Sequence, residues 1–248
     1  MYLNKPKENN DPQNPVQKKI IQIGNLFNRK QFSAVIEQAH TLANEYPDIF
    51  VLWIILGASY AQIGSLNKAI QSYQHALSLN PNYADGYNNL GVVLKDKGKI
   101  EEAIEAFKKA LSLKPEYPEA YSNMGNALKV HGRLHEAIEA YKKALSLKPE
   151  YPEAYSNMGN ALQVKGKLEE AIEAYKKALS LKPNYAKVYL NMGSALKGQG
   201  NEEEAIKAYN KALSIIPNYA EAYVSLALAH KDQGNLEDAI EACNKSIS

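Results

Sequence analysis

The sequence predicts an all-α solenoid of about seven stacked helix-turn-helix repeats. Three observations lead there. Pro118 to Tyr151 reads PEAYSNMGNALKVHGRLHEAIEAYKKALSLKPEY, and Pro152 to Tyr185 repeats it except at Lys129/Gln163, His131/Lys165, Arg133/Lys167, His135/Glu169 and Glu150/Asn184. The period of 34 runs on in both directions, through Pro47, Pro81, Pro115, Pro149, Pro183 and Pro217, and through Gly64, Gly98, Gly132, Gly166, Gly200 and Gly234. A second series, Gly57, Gly91, Gly125, Gly159 and Gly193, continues as Ala227. Self-similarity at such a period marks a supersecondary unit that buries its apolar face only by stacking on its neighbours.

Taken in order, residues 1–15 are rich in Asn, Lys and Pro, lack the apolar core of a signal peptide, and are expected to form a disordered tail. Repeat one, 16–49, diverges as a capping unit does. Its second helix aligns through Phe32, Val35, Ala39, Leu42 and Pro47. Its first helix fits one residue late, with Ile20, Ile23, Gly24 and Phe27 on the buried stripe, which would shorten the turn and explain its missing Gly. Five regular repeats follow, 50–83, 84–117, 118–151, 152–185 and 186–219, and 220–248 forms an incomplete seventh.

Within a regular repeat the first helix shows an apolar stripe such as Tyr121, Met124, Gly125 and Leu128. Gly there costs ~1 kcal/mol relative to Ala, so its recurrence suggests that two helix backbones cross closely. Lys97-Gly98-Lys99 and its equivalents end the helix, the Gly taking a left-handed conformation. The second helix follows as EEAIEAFKKAL, with solvated i,i+4 pairs expected from Glu105 to Lys109, Glu139 to Lys143 and Glu173 to Lys177. Leu-Lys-Pro then stops it, because Pro disfavours helical conformation in the residue before it.

The repeats also resemble a known family. Trp53-x-x-Leu56-Gly57-x-x-Tyr60, then Ala69, Tyr73 and Pro81, is similar to the signature of the tetratricopeptide repeat (TPR), and Ala103 and Phe107 restore its usual Phe. The resemblance implies a right-handed TPR solenoid with a concave groove lined by the first helix of each pair.

Composition narrows the possible functions. A formal net charge of +2, with acids and bases interspersed, gives no bulk attraction for nucleic acid or an anionic membrane. The longest apolar run, Ile49 to Ala58, is far shorter than the ~20 residues a membrane span needs. A single Cys243 excludes an intramolecular disulfide and suits a reducing compartment, so a cytoplasmic location is expected. Cys243 stands where Tyr175 and Tyr209 stand in their repeats and is expected to be a small core residue. The unfinished seventh repeat points to a segment of a longer polypeptide, or to self-association through an uncapped C-terminal end.

There is no P-loop, HExxH, GxSxG, CxxC or Rossmann fingerprint. His131 and His135 are four apart, but Gly132 breaks the helix between them and the sister repeat carries Lys165 and Glu169. No catalytic residue, metal site or cofactor is expected.

The informative polar residues are asparagines. Asn89, Asn123, Asn157 and Asn191 recur beside the buried stripe, and Glu119, Asn123, Asn126 and Val130 follow the spacing of one helix face, as do their copies with Asn157 and Asn160. Asn is ~0.6 kcal/mol worse than Ala in a helix, so its repeated use there needs a reason. A carboxamide can satisfy both polar groups of a peptide unit, so the series suits an extended protein segment; alternatively it ties neighbouring helices together. Lys95, Lys129 and Lys197 would make part of the groove cationic, opposed by Asp85, Glu119 and Glu153. Val51, Ile54 and Ile55 place apolar groups on the same face near the N-terminal end, either covered by repeat one or forming an association patch.

YNNLGVVLKDKGKIEEAIEAFKKAL and YSNMGNALKVHGRLHEAIEAYKKALSLKP further resemble the TPR superhelix of O-linked N-acetylglucosamine transferases and their bacterial relatives. That resemblance implies an asparagine ladder on Asn89, Asn123, Asn157 and Asn191, interrupted at Ser225 and Ile55, and implies the recognition part of such enzymes without their reaction. The carboxylate clamp of chaperone-binding TPR domains is matched at Asn126, Asn157 and Lys187 but not at Ser122 and Asn191, where its cations belong. The sequence therefore predicts a noncatalytic scaffold for an extended peptide, with the recognition arm of a glycosyltransferase- or sulfotransferase-type enzyme and a self-assembly module as alternatives.

Overall fold

The computed structural model describes residues 15–247. The expected N-terminal tail lies outside them except for Pro15, which opens the first helix. The described residues form fourteen α-helices: α1 (Pro15–Asn28), α2 (Phe32–Glu45), α3 (Phe50–Gln62), α4 (Leu66–Leu79), α5 (Ala84–Asp96), α6 (Ile100–Leu113), α7 (Pro118–Val130), α8 (Leu134–Leu147), α9 (Pro152–Val164), α10 (Leu168–Leu181), α11 (Ala186–Gly198), α12 (Glu202–Ile215), α13 (Ala220–Asp232) and α14 (Leu236–Ser246). They make seven helix pairs in the phase that the period of 34 predicts.

The described residues divide between Pro115 and Glu116 into two compact units. In the first, each of α1 to α6 packs on the next, and α3 also touches α1 and α5. In the second, α7 to α14 pack in succession, and α7 touches α9, α9 touches α11 and α11 touches α13. Among the described residues no even-numbered helix of either unit packs on another even-numbered one. The odd-numbered helices therefore form the tighter, inner row of each unit.

Every regular turn is built alike. The six turn glycines, Gly64 to Gly234, have φ between 74° and 84°. At Gly98 its N–H donates to Lys95 O at 2.9 Å and Lys99 N–H donates to Leu94 O at 2.9 Å, the paired bonds that close a helix end around a left-handed residue. Repeat one differs from expectation here. Its turn is not shortened; α1 ends in register, and Lys30 occupies the glycine's place with φ 60°. A side chain in that region is strained by ~1 kcal/mol or more, because its Cβ crowds the following carbonyl. Lys30→Gly is expected to raise stability by roughly 0.5–1 kcal/mol in chemical denaturation, after the added flexibility of the unfolded chain is offset.

The second glycine series has a different cause from the backbone crossing that its recurrence suggests. A Cβ on Gly125 would lie 2.7 Å from Tyr141 Cε1, and one on Gly159 or Gly193 would lie 2.5 Å from the same atom of Tyr175 or Tyr209. Each glycine leaves room for an aromatic ring from the second helix of its own pair. Tyr73, Phe107, Tyr141, Tyr175 and Tyr209 fill these positions and are 2% exposed or less. Repeat seven exchanges both partners together, with Ala227 in place of Gly and Cys243 in place of the aromatic residue. Cys243 is exposed, contrary to its expected core position: it lies on α14 with Leu236 and Ile240, which are themselves 61% and 62% exposed.

The outer-face ion pairs form one residue earlier than expected. Lys108 meets Glu105 at 2.7 Å, Lys142 meets Glu139 at 2.9 Å and Lys176 meets Glu173 at 2.7 Å, all i,i+3. Both spacings are neighbours on a helix surface, so sequence alone does not choose between adjacent lysines. No helix among the described residues is long and apolar enough to cross a membrane.

Candidate functional site

On each odd helix of the second unit the positions i, i+4, i+7 and i+11 fall along one side. On α7 these are Glu119, Asn123, Asn126 and Val130; on α9, Glu153, Asn157, Asn160 and Val164; on α11, Lys187, Asn191, Ser194 and Gly198. The five asparagines are half-buried, whereas Val130 and Val164 are 63% and 70% exposed. In the first unit the same stripe on α5 is Asp85, half-buried Asn89, Val92 and Asp96.

The structure divides the asparagines into two kinds. Asn126 and Asn160 are anchored from the outer row: Tyr141 Oη donates to Asn126 Oδ1 at 2.8 Å, and Tyr175 Oη donates to Asn160 Oδ1 at 2.7 Å. Asn191 Nδ2 also donates to Asn160 Oδ1, at 2.8 Å, joining α11 to α9. The expected alternative, that the amides tie helices together, thus describes Asn191 and Asn160. Asn89 and Asn157 have no side-chain partner among the described residues, and Asn123 does.

The charged residues are largely spoken for. Lys95 pairs with Asp96 at 2.9 Å and Lys197 with Asp232 at 2.8 Å, so these two do not present free positive charge; Lys129 also has a partner. Glu119 and Glu153 face the end of the following helix, where Lys148 and Lys182 meet them at 3.0 and 3.3 Å. The same two lysines lie 4.6 and 4.5 Å from the ring centres of Tyr151 and Tyr185. Asp85 and Lys114 are placed alike at 3.8 Å.

The apolar trio does not form a surface patch. Ile54 and Ile55 are each 2% exposed and Val51 is half-buried, with α3 packed against α1, α2, α4 and α5. Ile54 reaches toward α5, where a Cβ on Gly86 would lie 3.3 Å from its Cδ1. Ile54 and Ile55 are thus interior residues, and the neighbour identified for Ile54 lies in repeat three.

Three residues at the site were not singled out from sequence: Tyr141, Tyr175 and Gln163, whose Oε1 lies 2.8 Å from Tyr175 Oη. A signal was present. Phe107 lacks the hydroxyl and its repeat carries Val92 where the next carries Asn126. Burial pushes the Tyr141 and Tyr175 hydroxyls well above the ordinary phenol range, so both stay protonated as donors. Among the described residues there is no group of three or more His, Cys, Asp or Glu side chains able to hold a metal.

Paired helices in register, a glycine-closed turn in each pair and a polar stripe on the inner row define a helical-repeat protein. The model for the C-terminal domain of cilia and flagella-associated protein 70 matches residues 7–186, one for a tetratricopeptide repeat matches 165–211, and another for a TPR repeat matches 198–234. The chain belongs to the tetratricopeptide-repeat family. A search of curated proteins returned no match. Among solved structures, MamA is 31% identical over 69% of this chain and 94% of its own, with a TM-score of 0.61. PilF of Pseudomonas aeruginosa is 25% identical over 78% of this chain and 88% of its own, with a TM-score of 0.69. YrrB, a TPR protein with an unusual peptide-binding site, shares the fold at 24% identity, over 74% of this chain and 95% of its own, with a TM-score of 0.60.

Proposed function

We propose that the chain is a noncatalytic scaffold that holds an extended polypeptide along the asparagines of the odd-numbered helices of its second unit. The observation behind this reading is Asn157. Its carboxamide is half-buried on the inner row, lies in the same stripe as anchored Asn160, and has no partner among the described residues. A carboxamide so placed can meet the N–H and C=O of a peptide unit together, giving affinity that depends little on the side chains bound. The compensated charges at Lys95 and Lys197 favour a neutral backbone over a strongly acidic ligand. The single exposed thiol fits a reducing compartment such as the cytoplasm.

The test replaces Asn123 and Asn157 by Ala together and measures binding of peptides selected by display on the full chain. Two to four lost hydrogen bonds at about 1 kcal/mol each predict a loss of roughly 30-fold or more. Thermal stability should change little, because the better helix propensity of Ala offsets the interaction that Asn123 already makes within the protein. Unchanged binding with lowered stability would make these amides structural.

A recognition role within a larger enzyme is a second form of the same reading, and its support is the resemblance of the repeat sequences to the superhelix of O-linked N-acetylglucosamine transferases. Self-association loses its N-terminal half, because Ile54 and Ile55 are interior. Its remaining support is the exposed apolar surface of Leu236 and Ile240, and a concentration-independent monomer in sedimentation would remove it.

A further inference from the structure

We infer that Tyr141 and Tyr175 are positioning residues: their hydroxyls occupy the carbonyl oxygens of Asn126 and Asn160, so both asparagines offer their NH2 groups to an occupant. The inner row of the second unit then selects a chain that turns carbonyl oxygens toward α7 and α9. This rests on the peptide-binding reading and deepens it.

A phenol has one hydrogen to give and can also accept. Tyr175 Oη lies within 2.8 Å of both Asn160 Oδ1 and Gln163 Oε1, so it donates to one amide and accepts from the other. Asn160 Oδ1 is also the acceptor for Asn191 Nδ2, so in this arrangement one oxygen serves two donors. Tyr175 therefore donates to Asn160, and the Gln163 amide turns its nitrogen toward the phenol. The chain of bonds runs from Asn191 to Asn160, and from Gln163 through Tyr175 to Asn160. The Asn160 nitrogen makes no bond within it. Asn126 is held by Tyr141 in the same sense, and its nitrogen has no partner among the described residues.

In the other repeats an apolar inner residue faces a ring or side chain without a hydroxyl in two cases, and a serine faces a tyrosine in a third. Tyr209 meets Ser194 at 3.5 Å, whereas Phe107 accompanies Val92 and Cys243 accompanies Leu228 at the equivalent positions. Tyr73 is the exception, since Ala58 stands opposite it. A ring oxygen brought to the edge of the inner row needs a polar partner, and at Tyr141 and Tyr175 that partner is an asparagine of the inner stripe.

The experiment uses the full chain and a peptide selected on it by display. Tyr141→Phe keeps the ring, as Phe107 does against Gly91, and removes the one bond that orients the Asn126 amide, whereas Asn160 would still be held by Asn191 after Tyr175→Phe. The expected results are a 5- to 10-fold weaker peptide for Tyr141→Phe, a similar loss for Asn126→Ala, and no further loss in the double variant. The side-chain NH2 resonances of Asn126 should shift on peptide binding in the wild type and not in Tyr141→Phe. If Tyr141→Phe binds as the wild type does while Asn126→Ala is impaired, the positioning role is overturned and the peptide-binding reading stands. If neither substitution matters, or no peptide is selected, the inference falls together with that reading.

Discussion

Raising the pH above 10 is expected to unfold the protein cooperatively, with its buried tyrosines ionising only as helix is lost. Burial pushes the hydroxyls of Tyr73, Tyr141 and Tyr175 well above their ordinary value of 10.0, and nearby Tyr83 adds to the effect on Tyr73. Tyr209 shifts the same way through burial, partly offset by its bond to Ser194. Because the folded-state values are raised, the stability these groups contribute is complete below pH 10. It is lost as the pH climbs from there toward the folded values, where the unfolded chain has already released its protons. Each such tyrosine removes about 1.4 kcal/mol per pH unit in that window, so three together remove roughly 4 kcal/mol per unit. Far-UV circular dichroism and tyrosinate absorbance, followed in one titration, should step together. A smooth rise of tyrosinate near pH 10 with helix intact would show that the rings are not shielded.

The second large effect is expected at the glycine that faces one of these rings. In Gly159→Val a new Cβ would lie 2.5 Å from Tyr175 Cε1, and the ring has little freedom to retreat: it is 0% exposed and its hydroxyl is tied to Asn160. Overpacking of this kind costs about 1–3 kcal/mol, and the stiff, branched side chain places this case at the upper end. The expected loss is about 3 kcal/mol, a fall of roughly 6–12 °C in Tm for a chain of this size. The same substitution in a Tyr175→Ala background should cost much less, because the clashing partner is gone. Equal costs in both backgrounds would place the strain elsewhere.

These two results depend on features of unequal visibility in the sequence. Helix pairs, their phase and the left-handed turn glycines were legible because each repeats at the same offset and answers to local backbone sterics. Lys30 shows the limit of that logic: a lysine can take the glycine's conformation when the rest of the pair holds it there. The role of Gly159 was half legible. Its recurrence announced a close approach, but only the packed structure shows that the approaching group is a ring. The asparagine stripe was readable from helix periodicity, yet its division into anchored and unpartnered amides was not. That division depends on phenols fifteen residues away on another helix, reaching between the rows. The fate of Ile54 and Ile55 was likewise a question of what covers α3, which helix periodicity does not address.

That alternate helices touch only within the odd-numbered set has a mechanical consequence. In the second unit, α7, α9 and α11 rest directly on one another, while α8, α10 and α12 do not touch. Bending would open or close the slack gaps of the outer row and leave the inner spacing nearly constant. A guest lying along that row would meet a ruler with fixed divisions, gaining or losing contact one helix pair at a time, so that length and register rather than composition would decide how firmly it is held.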